Sequence, residues 1–444
     1  MGEDVAPGVD LRYNFTNVWT SMMRQFDHVV VGAGPAGGAA AIELAGGAPA
    51  HSVALVGAEP YAPYERPPLS KSTLLSALGD EGPQCLFGGI DGLAAAGVTT
   101  FIPAHVCSID RSSKIVHLSS GERLAYGKLL LATGTSARRL QIPGADLPGL
   151  HYLRTYRDAI ALAPAIRHGC SLVVIGGGFI GLEVASTARR AACNVVVVEA
   201  GAQLMGRAVP KVIADRMLDK FRSEGVDVRL DSTVAELRGT GEIASVVLGN
   251  GELLPADVVL AGIGAVPNDT IAKEAGLDVD NGIVADLHGR TSDPDVFAAG
   301  DVANRIQEVS GLPHWPKRLE AWEPALEQGV AAARAMLGQT AEPAKAPWVW
   351  SDQFDWNLQF AGYGELANLT IERHGPGPDV LTLFQLRGRR LVGVVTLNDP
   401  RSMAYGRRAV LQQTELDPAR LADPSIPVKD ALRGAAPAAQ TIDN

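Results

Sequence analysis

Phe26-Asp-His-Val-Val-Val31 runs into Gly32-Ala-Gly-Pro-Ala-Gly37 and then into an alanine-rich stretch. The first six residues predict a buried strand, and the alanines predict a helix. The glycine triplet between them is the turn that joins the two. Gly32 permits a tight turn, Gly34 lets a pyrophosphate approach the backbone, and Gly37 lets the helix pack on the strand. The free amides and the positive end of the helix dipole then hold phosphates. Pro35 suits the first helical position, where its missing N–H costs nothing. A second strand is expected over Ser52–Val56. Beyond it, Glu59 follows Gly37 by 22 residues, where a ribose hydroxyl needs an acceptor.

The pattern restarts at Leu172. Leu172–Ile175 predicts a strand, Gly176, Gly178 and Gly181 a second turn, residues to about 192 a helix, and Asn194–Val198 the next strand. Glu199 stands 18 residues after Gly181. An acid there accepts from a free 2′-hydroxyl and repels a 2′-phosphate, which favours NADH over NADPH; Arg207 is close enough in sequence to soften that preference. The two turns lie 144 residues apart, a repeat of a whole domain. The expected class is α/β: two Rossmann-like dinucleotide-binding domains with doubly wound sheets, plus a C-terminal α+β domain. In that third region Val380–Leu386 and Leu391–Leu397 read as a hairpin. Residues 1–25 form an N-terminal extension, with Phe15, Val18, Trp19, Met22 and Met23 on one face of a short helix. One domain takes 26–135 and 266–340, the second 136–265, the third 345–432, and 433–444 are a frayed tail.

Composition narrows the field. The chain has 444 residues and 49 glycines, about 11% against a typical 7%. Its net charge of −10 argues against a general nucleic-acid binder. No apolar run is long enough for a membrane span. Four cysteines, Cys85, Cys107, Cys170 and Cys193, make no disulfide framework and no Cys-x-x-Cys pair. The reading that fits is a cytoplasmic protein. Nine scattered histidines, with His314 lacking partners at ligand spacing, predict no metal site, and no Gly-x-Ser-x-Gly supports hydrolysis.

Two dinucleotide turns in one chain suggest two cofactors that exchange electrons. Asp301 ends the stretch Thr291-Ser-Asp-Pro-Asp-Val-Phe-Ala-Ala-Gly-Asp301, and Ala132-Thr133-Gly134 ends the predicted strand Leu129–Gly134. With these the chain resembles the two-dinucleotide-binding-domain flavoprotein reductases. The resemblance implies FAD on the first turn, its ribityl chain held by Asp301, and NADH on the second. Residues 60–84 contain no cysteine, so thiol chemistry at the flavin is not expected. Arg66-Pro-Pro-Leu-Ser-Lys71, Leu153-Arg-Thr155, Arg318-Leu-Glu-Ala-Trp322 and Trp348-Val-Trp-Ser-Asp-Gln353 are similar to segments of the oxygenase-coupled ferredoxin reductases, the group of putidaredoxin and rubredoxin reductases. The likeness spans residues 26–430. It implies FAD contacts from Ala36, Glu59, Arg66, Lys71, Val106, Arg154, Asp301 and Trp322, with Thr133 part of the flavin-domain motif. Pro324 and Val349 depart from that family, which carries Asn and Phe there.

The same resemblance places Lys71 beside Glu183 near the flavin, with Glu183 close to the nicotinamide. Such a pair fixes both side chains and keeps each charged, and Lys71 would favour negative charge on reduced flavin. Taken alone, Glu183 also fits a first-turn acid of a helix and Lys71 an exposed loop cation. Trp322 faces either the flavin or the core; Trp348, Trp350 and Trp356 read as packing.

The implied function is an NADH-dependent reductase that passes electrons singly to an iron–sulfur ferredoxin feeding a Rieske or cytochrome-type oxygenase. An NADH oxidase or quinone-type reductase without a protein partner, and an NADH-sensing flavoprotein resembling apoptosis-inducing factor, are the alternatives. No nucleic acid or membrane partner is expected, and the chain acts as a monomer or homodimer. Ferredoxins of such systems are acidic, so the reductase must offer a locally basic face. Residues 345–444 carry 11 basic and 11 acidic side chains, and residues 1–344 carry 28 and 38. Arg387, Arg389, Arg390, Arg401, Arg407 and Arg408 are one candidate patch or simply solvated strand ends; Arg138, Arg139, Lys317 and Arg318 are rivals.

Overall fold

The computed structural model describes residues 23–75, 82–206, 208–307, 315–340 and 345–434. The first strand is Met23–Val31, and its Val29, Val30 and Val31 pair in parallel with Ala54, Leu55 and Val56 on one side and Leu129, Leu130 and Leu131 on the other. A strand flanked on both edges and covered on both faces must be apolar throughout its centre. That is why the valine run decides the fold. The parallel part of this sheet runs Val98–Phe101, Val53–Val56, Met23–Val31, Arg123–Leu131 and Val296–Ala298, with an antiparallel hairpin, Val106–Asp110 and Ile115–Leu118, continuing its edge.

The second unit repeats the order. Asp227–Arg229, Asn194–Val198, Ser171–Ile175, Val258–Ala261 and Leu150–His151 make a five-stranded parallel sheet. Thr135–Ala137 and Ala265–Pro267 pair antiparallel. The chain passes from the first sheet to the second along the one and back along the other. The third unit is a five-stranded antiparallel sheet, in order Trp348–Gln353, Trp356–Gly362, Arg390–Leu397, Leu381–Arg387 and Leu369–His374. The expected hairpin is its centre, turning through Gly388-Arg389 with Gly388 at φ +61°. The helix Pro400–Leu411, capped by the Asp399 carboxylate, packs on this sheet.

Three expectations change. The first strand begins at Met23, not Phe26, because Met23–Gln25 pair with Arg123–Ala125 of a neighbour that is itself longer than read. Met23 is therefore an exposed strand residue, not part of a helical stripe; Phe15, Val18, Trp19 and Met22 lie outside the described residues. The strand expected over Leu129–Gly134 is Arg123–Leu131, and Ala132–Gly134 already turn away. Arg207, His314 and nearly all of the expected tail also lie outside the described residues.

Candidate active site

Both glycine turns divide the labour in the same way. Gly32 sits at φ +115° and Gly176 at φ +103°, where a Cβ would stand 2.1 Å from the Ala132 carbonyl and 2.5 Å from that of Gly262. Gly37 and Gly181 press their helices onto the preceding turns, a Cβ falling 1.8 Å from the Gly32 oxygen and 2.3 Å from the Gly176 oxygen. Gly34 and Gly178, by contrast, face open space and begin the helices Pro35–Gly47 and Phe179–Arg190 with no side-chain cap. Each helix thus presents uncapped first-turn amides, including that of Ala36, to an open space, which fits an anionic phosphate.

Beside the first turn, a chain of polar contacts joins most of the residues singled out from sequence. Glu59 accepts from the Tyr64 hydroxyl at 2.6 Å and from Arg66 Nη2 at 2.7 Å. Arg66 Nη1 donates to the Arg154 carbonyl at 2.6 Å, and Arg154 Nη2 donates to Asp301 Oδ2 at 2.6 Å. The Thr133 hydroxyl donates to the Asn268 carbonyl at 2.8 Å, and the Asn268 amide returns a bond to the Thr133 carbonyl. Burial pushes the Tyr64 phenol well above its ordinary range, so it stays a neutral donor to Glu59. Val106 stands apart, packing half-buried against the core as the first residue of its hairpin.

A different set converges on Glu183. Pro67 and Pro68 have φ preset for a tight turn, and Pro67–Ser70 is a 3-10 helix. It aims Ser70 and Lys71 together. Lys71 Nζ lies 2.7 Å from Glu183 Oε2, Ser70 Oγ donates to the same oxygen at 2.5 Å, and Ser351 Oγ donates to Oε1 at 2.6 Å. One helical turn on, Thr187 Oγ1 donates to the Ser70 carbonyl at 2.9 Å, and Ser186 Oγ accepts from Phe354 N at 2.6 Å. These residues share a face because they are three and four apart. Glu183 is fifth in its helix rather than in the first turn, and it is 4% exposed. Its carboxylate is met by side chains of two other segments rather than by the helix end. Lys71 is half-buried and paired, not a free loop cation.

Trp322 opens the helix Trp322–Met336 and contacts Trp350 edge-on at 5.9 Å between centroids; Trp350 in turn stacks on Trp348 at 4.8 Å. Trp350 therefore reaches out of the C-terminal sheet instead of only packing it, while Trp356 is buried core. The Trp322 indole N–H is buried with no acceptor among the described residues, which fits a bound group beside it. Pro324 falls in the first turn of that helix, where no N–H is needed, so this departure from the family leaves the helix intact. Val349 pairs with Phe360 in the sheet.

Glu199 lies directly after its strand and accepts from the amides of Gly177 at 2.6 Å and Gly201 at 2.7 Å, which holds the carboxylate against the second glycine turn. Cys85 and Cys107 are exposed, and Cys170 and Cys193 are buried in the second unit. No group of His, Cys, Asp and Glu able to hold a metal occurs among the described residues. No described helix is long and apolar enough to cross a membrane. The expected basic face is reduced: Arg407 is committed to Glu323 at 2.7 Å, Lys317 pairs with Glu365, and Arg318 turns inward to the Asp301 carbonyl at 3.1 Å. Arg387, Arg389, Arg390, Arg401 and Arg408 are exposed, Arg390 standing 3.6 Å from Glu415, and so are the rivals Arg138 and Arg139. Ser70, Tyr64, Asn268 and Ser351 were not singled out from sequence, although Ser70 and Ser351 lie inside two of the quoted segments.

Two glycine-turn units bridged by an ion pair whose carboxylate is buried fit an oxidoreductase with two dinucleotide sites. The chain belongs to the pyridine nucleotide-disulphide oxidoreductase family, whose model matches residues 26–329, and a reductase C-terminal model matches residues 348–432. It is 37% identical over 410 residues to rhodocoxin reductase of Rhodococcus erythropolis, covering 91% of this chain and 94% of that protein. It is also 37% identical to the ferredoxin–NAD(+) reductase component of the anthranilate 1,2-dioxygenase system of Burkholderia cepacia, covering 91% and 98%. The covalent putidaredoxin reductase–putidaredoxin complex has a chain similar to it at TM-score 0.87 and 32% identity, covering 92% of this chain and 98% of that one.

Proposed function

We propose that the chain is an FAD-containing, NADH-dependent ferredoxin reductase of an oxygenase system. The observation that carries this reading is the Lys71–Glu183 pair, which ties the loop of the first unit to the nucleotide helix of the second. Residues 26–135 and 266–340 hold FAD, residues 136–265 hold NADH, and residues 345–432 complete the site. When bound, FAD accepts an electron pair as hydride and releases electrons singly. The protein supplies position and electrostatics.

Gly32, Gly34, Ala36 and Gly37 would cradle the flavin's pyrophosphate, and Glu59, steadied by Tyr64 and Arg66, would accept from its adenosine ribose. Thr133, Arg154 and Asp301 would line the ribityl side, with Val106 at the adenine side and Trp322 offering its free N–H. Gly176, Gly178 and Gly181 would hold the NADH pyrophosphate, and Glu199 its 2′-hydroxyl. Lys71 and Glu183 would stand at the reacting centre. Glu183, accepting from Lys71, Ser70 and Ser351, would form an immobile wall of the site; Lys71 would bring its side chain there in a geometry already set.

The partner is a small acidic iron–sulfur ferredoxin, docked in part by the exposed arginines Arg389, Arg390, Arg401 and Arg408. Anaerobic mixing of the yellow holoprotein with NADH, then with candidate ferredoxins, tests the reading. Cytochrome c reduction that requires added ferredoxin supports it. Reduction that proceeds equally without ferredoxin would instead mark a free-standing NADH oxidase or quinone-type reductase.

A further inference from the structure

Ser351 belongs to the first strand of the C-terminal sheet, yet its hydroxyl is spent on a carboxylate of the second unit, 168 residues earlier in the chain. A serine hydroxyl has one proton to give. Gln353 Nε2 donates to Ser351 Oγ at 3.0 Å, occupying an acceptor position of that oxygen and directing its proton to Glu183 Oε1. Ser351 and Gln353 are two apart on one strand and therefore share a face, and each is 1% exposed. Glu183 Oε2 is already held by Lys71 and Ser70, so Ser351 supplies the donor described for the other oxygen. The two tethers fix both oxygens, and with them the plane of the carboxylate. The contact of Phe354 N with Ser186 Oγ seats the same chain on the next turn of the helix.

We propose that Ser351, oriented by Gln353, is a positioning residue for Glu183, through which the C-terminal unit sets the geometry of the hydride-accepting site. The inference rests on the reading of Glu183 as a residue of the reacting centre. Without the Ser351 hydroxyl, Oε1 loses its donor inside a buried site, and the carboxylate is free to rotate about its bond to Lys71. The nucleotide turn at Gly176–Gly181 is untouched, so NADH binding is preserved while the reactive arrangement is lost.

The test uses the FAD-loaded full chain and anaerobic stopped-flow reduction by NADH. Ser351→Ala is expected to lower the limiting reduction rate by roughly tenfold, the loss of one charge-assisted hydrogen bond, with the apparent Kd for NADH changed less than about twofold and flavin content unaltered. Ser351→Thr, which keeps the hydroxyl, restores the rate. In the Glu183→Gln background, Ser351→Ala produces a much smaller further change, because the two residues act as one unit. Should the alanine variant fail to hold flavin, Gln353→Ala, which frees the Ser351 hydroxyl to rotate, is expected to lower the rate in the same direction. An equal fall in both backgrounds, or a wild-type rate in Ser351→Ala, overturns the proposal. Absence of any reduction of the wild-type protein by NADH would overturn the functional reading itself, a distinct outcome.

Discussion

Lys71 Nζ and Glu183 Oε2 stand 2.7 Å apart across the boundary between the two nucleotide-binding units. The pair is asymmetric: the lysine is 23% exposed and the carboxylate 5%. The charge that cannot reach water is therefore the acid, and it is the acid that gathers the additional donors.

Glu183→Gln keeps the shape but replaces one acceptor oxygen by a donating amide and removes the counter-charge of Lys71. The limiting rate of flavin reduction by NADH is expected to fall about tenfold or more, while the visible flavin spectrum and its stoichiometry stay at wild-type values. Single-turnover bleaching of the flavin checks this; unchanged kinetics would remove Glu183 from the reacting centre.

Asp301→Ala breaks the 2.6 Å contact that anchors the Arg154 guanidinium on the ribityl side. FAD retention is expected to suffer first. The ratio of flavin to protein absorbance after dialysis should drop well below that of the wild type, and excess FAD should partly restore activity.

Gly34→Ala and Gly32→Ala should separate binding from folding. At Gly34 a Cβ meets nothing within 4 Å, so the apoprotein folds, but the methyl occupies the space meant for a pyrophosphate. At Gly32 the Cβ would lie 2.1 Å from a backbone oxygen at φ +115°, and the fold itself should fail. Circular dichroism with flavin titration distinguishes soluble apoprotein from misfolded chain.

Glu199→Ala should reduce preference for NADH. The ratio of kcat/KM for NADH to that for NADPH is expected to fall by about tenfold or more. Because Glu199 also accepts from the Gly177 and Gly201 amides, KM for NADH should rise as well. A ratio that does not move would assign the carboxylate to the turn alone.

The sequence carried the parallel units well, because a glycine turn after a valine run is a local pattern with one physical use. Glu199 was visible for the same reason, lying at a fixed offset from the second turn, whereas the roles of Lys71 and Asp301 came from the resemblance to a known family. Ser351 was not singled out, because no local pattern records that a serine on one sheet meets a glutamate 168 residues away. Trp350 was read as packing, since its edge-on contact with Trp322 depends on how two units dock. Charge along a chain does not reveal that Arg407 of the arginine patch and its rival Arg318 have partners inside the molecule. The length of the first strand was missed because Met23–Gln25 are exposed and are held only by the neighbouring strand.

The most direct test of the central claim is an anaerobic titration in which NADH is added to the FAD-loaded protein with an excess of an acidic [2Fe–2S] ferredoxin. The account predicts two ferredoxins reduced per NADH consumed, with a rate that falls as salt rises and with NADPH a poor substitute. NADH consumption that leaves the ferredoxin oxidised would contradict it.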